Sequence, residues 1–575
     1  MNRLAVFHGG GHLVNMAEVM GIETESVGAI AEMLIGTGMA EMQDYNYLRL
    51  DPALPAYLRL GMAQEEFAQL EGAWAEAMMQ LVNFLFQQMF KDSKMAFNLT
   101  LLELPNLLAL LDWLADLLAQ DDSSAEMVSD IAGKIEQLLA PLNRPSALAK
   151  AAALREESAS KVPEWGSTRF NSERLLIERL LAAGQLQPAY EKAQALLEKA
   201  KAAAYQGADY DLGIAHFLLG RVLRVGGQVA PALDLLIESQ RLFEALGERG
   251  ERMAVVALGE QADCLTNLGR LDDAAKTYGE CIKRDEKLND FRNLAADKSQ
   301  LATVRLRQKK YAEALAEYQG ALTIFEKQDE SKSVATIWHQ IGRVHQEAGD
   351  YESAEAAYRR SLEISIQNDY KKDQADSLTM LGVLYKDMGR LEEAITFYRQ
   401  AADIYLETGD LRYEGIARSN TADTLIQLKR YAEARAEIMR AIECDKQFGH
   451  ASEPWKTFNI LREIEEATDN PAAARAAWAQ ARDAYLAYRR QGGYASQGAG
   501  GQFIDQILGL IQQGKSDEIQ NLLNQYSDAP DYFKKFMQIV VDILNGSRDK
   551  ALGDDPALSY SYTAEVLFLI ERLGG

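Results

Sequence analysis

The residues of this chain best suited to chemistry are few and scattered. His8-Gly9-Gly10-Gly11-His12 sets two imidazoles four positions apart, a spacing that holds a metal ion when the residues between are helical. Three glycines make the segment a flexible turn instead, and no third ligand stands beside it. His-Gly-Gly-Gly is also an oxyanion motif of esterases, but that chemistry needs a G-x-S-x-G nucleophile elbow, which the chain lacks. Cys264, Cys281 and Cys444 form no Cys-x-x-Cys pair and read as small core residues in a reducing compartment. The remaining histidines, His216, His339, His345 and His450, build no H-E-x-x-H, and no G-x-x-x-x-G-K-[ST] phosphate cradle occurs. The chain is expected not to be an enzyme and to hold no cofactor and no metal.

Charge narrows the partners. Over 575 residues the net charge is −24, which disfavours nucleic acid and anionic membranes, both of which need a basic footprint. Residues 1–60 carry Arg3, Arg49 and Arg59 against seven acids. The most apolar stretch, Leu101–Ala119, contains Glu103, Pro105, Asn106, Asp112 and Asp116, a set a membrane span does not tolerate. It is expected to be one buried helix. Met1 to Val6 lack the basic start and long apolar core of a signal peptide, so the expected place is the cytoplasm.

The elements that would position any site announce themselves by repetition. Ala189, Ala232, Ala274, Ala314, Ala354, Ala394, Ala434 and Ala474 each follow a turn residue by three positions: Leu186, Val229, Leu271, Tyr311, Tyr351, Leu391, Tyr431 and Pro471. The turn residues are spaced 43 and 42, then 40 throughout. Such a period marks a stack of one supersecondary unit. Within a unit, Ser377–Met388 has helical apolar spacing, Gly389 ends it, and Glu392 and Glu393 open a second helix where its dipole favours acids. Two helices this close need small side chains at the crossing, which accounts for the alanines. It also accounts for Gly220, Ala262, Ala302, Gly342, Gly382 and Ala422, nine positions before the turns. A ring follows four residues after the alanine at Tyr278, Tyr318, Tyr358, Tyr398 and Trp478.

At Trp338-x2-Ile341-Gly342 with Ala354-x3-Tyr358, and at Leu381-Gly382-x2-Tyr385 with Ala394-x3-Tyr398, the chain resembles the tetratricopeptide repeat. The likeness runs over about residues 170–490. The period is nearer 40 than 34 and the closing proline is replaced by Glu326, Ile366, Leu406 and Lys446, as in the kinesin-light-chain-like branch. The resemblance implies an all-α fold, a right-handed superhelix of about eight helix pairs whose first helices line a concave groove. Counting back from the turns, it places Arg221, Arg224, Glu260, Asp263, Asn267, Gln300, Thr303 and Arg307 on that face. It adds His339, Gln340, Arg343, Gln346, Thr379, Lys386, Asp387, Ser419, Asn420, Asp423, Gln427, Asn459 and Glu463. Of these, Arg221, Arg224, Asn267, Arg307, His339, Arg343, Lys386, Asn420 and Gln427 are the expected protein- or peptide-binding residues. Donors and acceptors alternate there as an extended peptide requires. The carboxylate clamp of chaperone-binding relatives is not reproduced: Thr379 and Val383 stand where lysine and asparagine are needed.

Residues 1–58 read as helices at His12–Met20 and Val27–Ile35 followed by a hairpin over Met39–Leu50. That order, ending in Leu48-Arg49-Leu50-Asp51-Pro52, is similar to the winged helix that follows the nucleotide-binding domain of STAND ATPases (signal-transduction ATPases with numerous domains). The resemblance implies the sensor-bearing half of a bacterial STAND protein or a free-standing relative, with an ATPase or effector encoded upstream as partner. The expected domains are a winged-helix-like region at 1–58, a helical linker at 59–168, the repeat solenoid at 169–490 and a helical cap at 503–575, with a glycine-rich link at Gly492–Gly501. The expected function is a non-catalytic scaffold or sensor. The alternatives are a transcriptional regulator resembling the maltose-regulon activator and a small-molecule-sensing repeat module.

Overall fold

A computed structural model of the chain describes residues 2–89, 91–142, 144–491, 493, 498–526, 529–555 and 558–574, with backbone only at 450, 451 and 516. The fold is all-α apart from one small sheet among the described residues. It divides into two compact units, residues 1–308 and 309–575.

The first unit opens with β1 (Gly10–His12), α1 (Leu13–Met20), α2 (Thr24–Gly36), β2 (Ala40–Gln43) and β3 (Tyr47–Leu50). The strands form an antiparallel sheet in the order β1-β3-β2, with Leu48 opposite both Gly11 and Met42. The expected helices and hairpin are present, but the three glycines are not a flexible turn. Gly10 and Gly11 are paired strand residues, and at Gly10 a Cβ would lie 2.2 Å from the Leu48 carbonyl oxygen, so only glycine lets the strands meet.

Six helices follow: α3 (Ala53–Arg59), α4 (Gln64–Gln88), α5 (Ser93–Leu102), α6 (Leu104–Gln120), α7 (Ala125–Leu139) and α8 (Pro145–Lys161). The stretch expected to be one apolar helix is broken at Glu103. Its second part is amphipathic, burying Leu107, Leu110, Leu111, Leu114 and Leu118 and exposing Asp112 and Asp116. The break serves the sheet. Glu103 accepts the His12 backbone N–H at 3.0 Å, while Asn106 accepts that of His8 and donates to the Gly10 carbonyl, each at 2.8 Å. The edge of β1 is therefore satisfied by side chains from the α5–α6 junction.

Helix pairs complete both units. In the first they are α9 (Ser167–Ala182) with α10 (Leu186–Lys201), α11 (Ala208–Val225) with α12 (Val229–Ala245), and α13 (Glu251–Asn267) with α14 (Leu271–Leu288), then α15 (Phe291–Arg307). The second begins at α16 (Tyr311–Lys327). It continues with α17 (Ser331–Glu347) and α18 (Tyr351–Gln367), α19 (Lys371–Asp387) and α20 (Leu391–Thr408), α21 (Leu411–Gln427) and α22 (Tyr431–Asp445), and α23 (Pro454–Ala467) and α24 (Pro471–Arg490). Every one of the eight turn residues begins a helix. The residue two positions before it takes the left-handed conformation that ends the preceding helix. Glycine supplies it five times (Gly184, Gly227, Gly269, Gly349, Gly389), and Lys309, Lys429 and Asp469 supply it at φ of 59°, 59° and 55°.

The small residues do what their spacing predicts. Seven of the eight alanines are wholly buried and Ala474 is 5 % exposed. A Cβ on Gly342 would sit 2.7 Å from the Tyr358 ring, and one on Gly382 would sit 2.6 Å from the Tyr398 ring.

The joints between successive pairs alternate in character. From α14 onward the 40-residue register places at the joint between a second helix and the next first helix the residues 285 and 297, then 325 and 337, 365 and 377, 405 and 417, and 445 and 457. These are Asp and Asp, Phe and Ile, Ser and Ser, Tyr and Ala, Asp and Thr, all buried except the half-buried Asp297. Polar joints thus recur every 80 residues, with Ser377 meeting Ser361 at 3.1 Å and Thr457 donating to Asp445 at 2.7 Å.

The tail holds α25 (Ala499–Gln512), α26 (Ile519–Gln525), α27 (Asp531–Leu544) and α28 (Tyr560–Gly574). The expected link at Gly492–Gly501 is helical from Ala499, because Gly500 and Gly501 are buried in the first turn of α25; residues 492 and 494–497 lie outside the described ones. Leu486 of α24 shares a core with Phe503, Phe536, Val540 and Leu569. Among the described residues no helix is long and apolar enough to cross a membrane.

Candidate functional site

Side chains on α11 reach α13 and those on α15 reach back to it, while those on α17 reach α19 and those on α19 reach α21, which builds a polar face within each unit. In the first unit Arg224 of α11 contacts Glu260 of α13 at 2.7 Å and Asp263 at 3.5 Å, and Arg221 Nε lies 3.2 Å from Glu260. Burial opposes the Arg224 charge, but the two carboxylates overcome it and hold its pKa above the ordinary value. Tyr278 of α14 donates to Asp263 from behind. Arg307 of α15 donates to the Thr266 carbonyl at 3.3 Å, and Asn267 is exposed.

The second unit repeats the arrangement with different chemistry. Gln346 of α17 donates to Asp387 of α19 at 2.7 Å and accepts from Tyr358 at 2.9 Å. Lys386 of α19 pairs with Asp423 of α21. Arg343 donates to Gln340 at 3.0 Å. His339 packs edge-on to Tyr358 at 5.5 Å, and burial lowers its pKa so that the ring is neutral. Asn420 is half-buried and Gln427 exposed on α21, while Asn459 donates to Glu463 on α23 at 2.9 Å.

Three segments of this helix-pair array, 256–288, 293–367 and 373–447, match the family model "Tetratricopeptide repeat". These are tetratricopeptide repeats. No curated protein matches the chain. Among solved structures the chain is similar to BtubC (BKLC) from P. vanneervenii, with 21 % identity and a TM-score of 0.34 over 40 % of this chain and 92 % of that one. It is also similar to a STAND protein with a tetratricopeptide repeat sensor from Pyrococcus horikoshii, with 14 % identity and a TM-score of 0.46 over 85 % of this chain and 63 % of that one. A third is the apo quorum sensor NprR from B. thuringiensis, with 16 % identity and a TM-score of 0.41 over 63 % and 99 %.

The expected groove residues fall on the first helices of the repeats, but spacing alone concealed their condition. Arg221, Arg224 and Lys386 are already engaged by carboxylates of the next repeat. Residues that the sequence did not single out converge on this face beside His339, which it did. Thr336 and His339 of α17, Ser361 of α18, and Asp373, Asp376 and Ser377 of α19 line a cavity of about 150 Å³. The available signal was Asp373 and Asp376, three apart on a first helix and therefore on one face. Asp285 and Asp297, at the polar joint of the first unit, form a second cluster that sequence reasoning missed. Burial holds both carboxyls above their ordinary range; repulsion from Asp285 adds to it at Asp297, while at Asp285 the hydrogen bond with Asp297 opposes it.

No other chemistry gathers here. Among the described residues no three His, Cys, Asp or Glu side chains are placed to hold a metal ion. The three cysteines are buried and free. Burial pushes the Cys264 and Cys444 thiols up to about 11 and Cys281 higher, the opposite of a nucleophile's environment.

Proposed function

We propose that this chain is a non-catalytic sensor or scaffold of the cytoplasm that binds a protein or peptide on the first-helix face of its repeats, as the sensor part of a STAND-type regulatory or defence system. The observation that carries the reading is the cross-linking of that face from repeat to repeat, by Arg224 to Glu260 in one unit and by Gln346 to Asp387 and Lys386 to Asp423 in the other. Side chains fixed before binding lose little entropy on binding, so a pre-ordered polar face suits recognition of an extended segment. In the region before the repeats, Val14, Met33, Met39, Met42, Tyr57 and Leu60 are exposed apolar residues, which supports a docking role for residues 1–60.

The test is selection of peptides from a displayed random library by the full chain, followed by titration against an Arg224→Ala, His339→Ala, Lys386→Ala variant. Selected peptides should bind the variant at least about tenfold more weakly. Peptides that bind both proteins equally would refute a groove site. The system-level reading requires that co-expression with an ATPase encoded beside this gene yields a complex whose nucleotide turnover changes when a selected peptide is added.

A further inference from the structure

The cavity between α17 and α19 is distinguished by its hydrogen-bond inventory. Ser361 has one hydroxyl proton and donates it to the Ala335 carbonyl at 2.8 Å. The 3.1 Å contact between Ser361 and Ser377 must then be a donation from Ser377. Ser377, 1 % exposed, is left with acceptor capacity facing the cavity and no donor to fill it. Thr336 likewise donates to the Lys332 carbonyl at 3.0 Å, leaving its lone pairs open. Asp376 receives one hydrogen bond, from Tyr405 at 2.5 Å, and a carboxylate can accept several. Asp373 has no ion-pair partner among the described residues, nor has Asp376. His339 is neutral, and the Gln340 carbonyl is taken by Arg343. Lys332 and Lys372 lie near Asp373 and temper its charge from a distance, and Lys372 sits over the Tyr413 ring at 4.9 Å.

The corresponding cavity in the first unit, 80 residues earlier in the repeat register, makes the contrast. Glu260, Asp263, Asp297 and Tyr278 line it; Arg224 meets Glu260 and Asp263, the Tyr278 hydroxyl donates to Asp263, and Asp297 is paired with Asp285. There the chain supplies its own guanidinium. In the second unit the Asp373 and Asp376 carboxylates at the matching cavity meet no guanidinium among the described residues.

We propose that the cavity bounded by Thr336, Asp373, Asp376 and Ser377 is a binding pocket for a lysine or arginine side chain of the peptide that occupies the first-helix face. This rests on the groove reading above and adds the class of residue recognised. A multi-donor cation is the complement of a pocket in which two carboxylates and two hydroxyl oxygens outnumber the donors, the His339 ring N–H and the Gln340 amide. The volume of about 150 Å³ admits one such head group.

The probes are acetylated and amidated peptides Gly-Ser-Gly-X-Gly-Ser-Gly with X lysine, arginine, norleucine or glutamate, titrated calorimetrically into the full chain. Three proteins are compared: the natural chain, Asp373→Asn with Asp376→Asn, and a charge-matched control, Glu352→Gln with Asp403→Asn, on exposed positions of α18 and α20. The lysine or arginine peptide should bind the natural chain and the control alike. It should bind the Asp373/Asp376 variant at least about tenfold more weakly, the loss expected for charge-assisted hydrogen bonds. Norleucine and glutamate peptides should bind the natural chain at least about tenfold more weakly than the cationic ones. Equal weakening in both variants would reduce the effect to net charge and overturn the pocket. So would the absence of binding of either cationic peptide at about 1 mM. Spermidine binding more tightly than both peptides and competing with them would overturn the peptide as the source. Library-selected peptides that bind independently of Asp373 and Asp376 would sink this pocket while leaving the groove reading intact. A cationic peptide that binds here when library peptides ignore the groove variant would do the reverse.

Discussion

Gly382→Ala should destabilise the second unit although alanine is the better helix former. In a helix interior the exchange by itself gains about 0.8–1 kcal/mol. At Gly382 the new methyl would sit 2.6 Å from two carbons of the Tyr398 ring and 3.0 Å from a third. That ring is 1 % exposed and cannot swing away, so the crossing of α19 and α20 must open. Overpacking of this kind costs about 1–3 kcal/mol, leaving a net loss of about 1 kcal/mol. Gly279 of α14 is the control, since nothing lies within 4 Å of a Cβ built there, and Gly279→Ala should stabilise by about 0.8–1 kcal/mol. Urea unfolding followed by circular dichroism reads both signs, and hydrogen exchange localises the loss to α19 and α20. In a Tyr398→Ala background the Gly382→Ala cost should vanish, because the atoms it strikes are gone. A stabilising Gly382→Ala, or a cost unchanged without the ring, would refute the argument that small residues are there to admit the neighbouring helix.

Asn106→Ala should cost at least about 2 kcal/mol by orphaning the backbone groups of His8 and Gly10, with faster exchange of the Gly10–His12 amides as the local readout. Asp297→Asn should flatten the pH dependence of stability. Burial and Asp285 push Asp297 up to about 8, so the folded chain retains a proton the unfolded chain releases, and stability is lost as pH rises from the ordinary carboxylate range toward 8. An asparagine donor in its place makes the variant gain on the natural chain at pH 8 and not at pH 4, as thermal melts at the two values would show. Cys264, Cys281 and Cys444, all buried, should react with a disulfide reagent only at the rate of unfolding, giving three thiols in urea and none at once in buffer.

The repeats were readable from the sequence because the packing at each crossing imposes one local demand eight times, and all eight turn residues begin helices as their spacing requires. The strand at Gly10–His12 was not readable. What demands glycine there is the Leu48 carbonyl on another strand, and nothing adjacent in sequence reveals it. The break at Glu103 was hidden for the same reason, since its purpose is a hydrogen bond to the His12 amide. That the expected binding residues lie on first helices followed from the repeat register, but whether a cation there is free depends on the next repeat. Arg224 meets Glu260, and the carboxylates of Asp373 and Asp376 meet nothing comparable. The open Ser377 lone pair depends on where the Ser361 hydroxyl proton goes, which residue spacing does not encode.

The alternation of joints sets a rule for shortening the chain. Excising α17 and α18 alone would bring Phe325 of α16 against Ser377 of α19, an aromatic ring on a hydroxyl. Excising α17 through α20 would bring it against Ala417 of α21, and oil would again meet oil. Deletions in this stretch should therefore be tolerated in steps of two repeats and resisted in steps of one, so that the interchangeable brick of the array is a doublet.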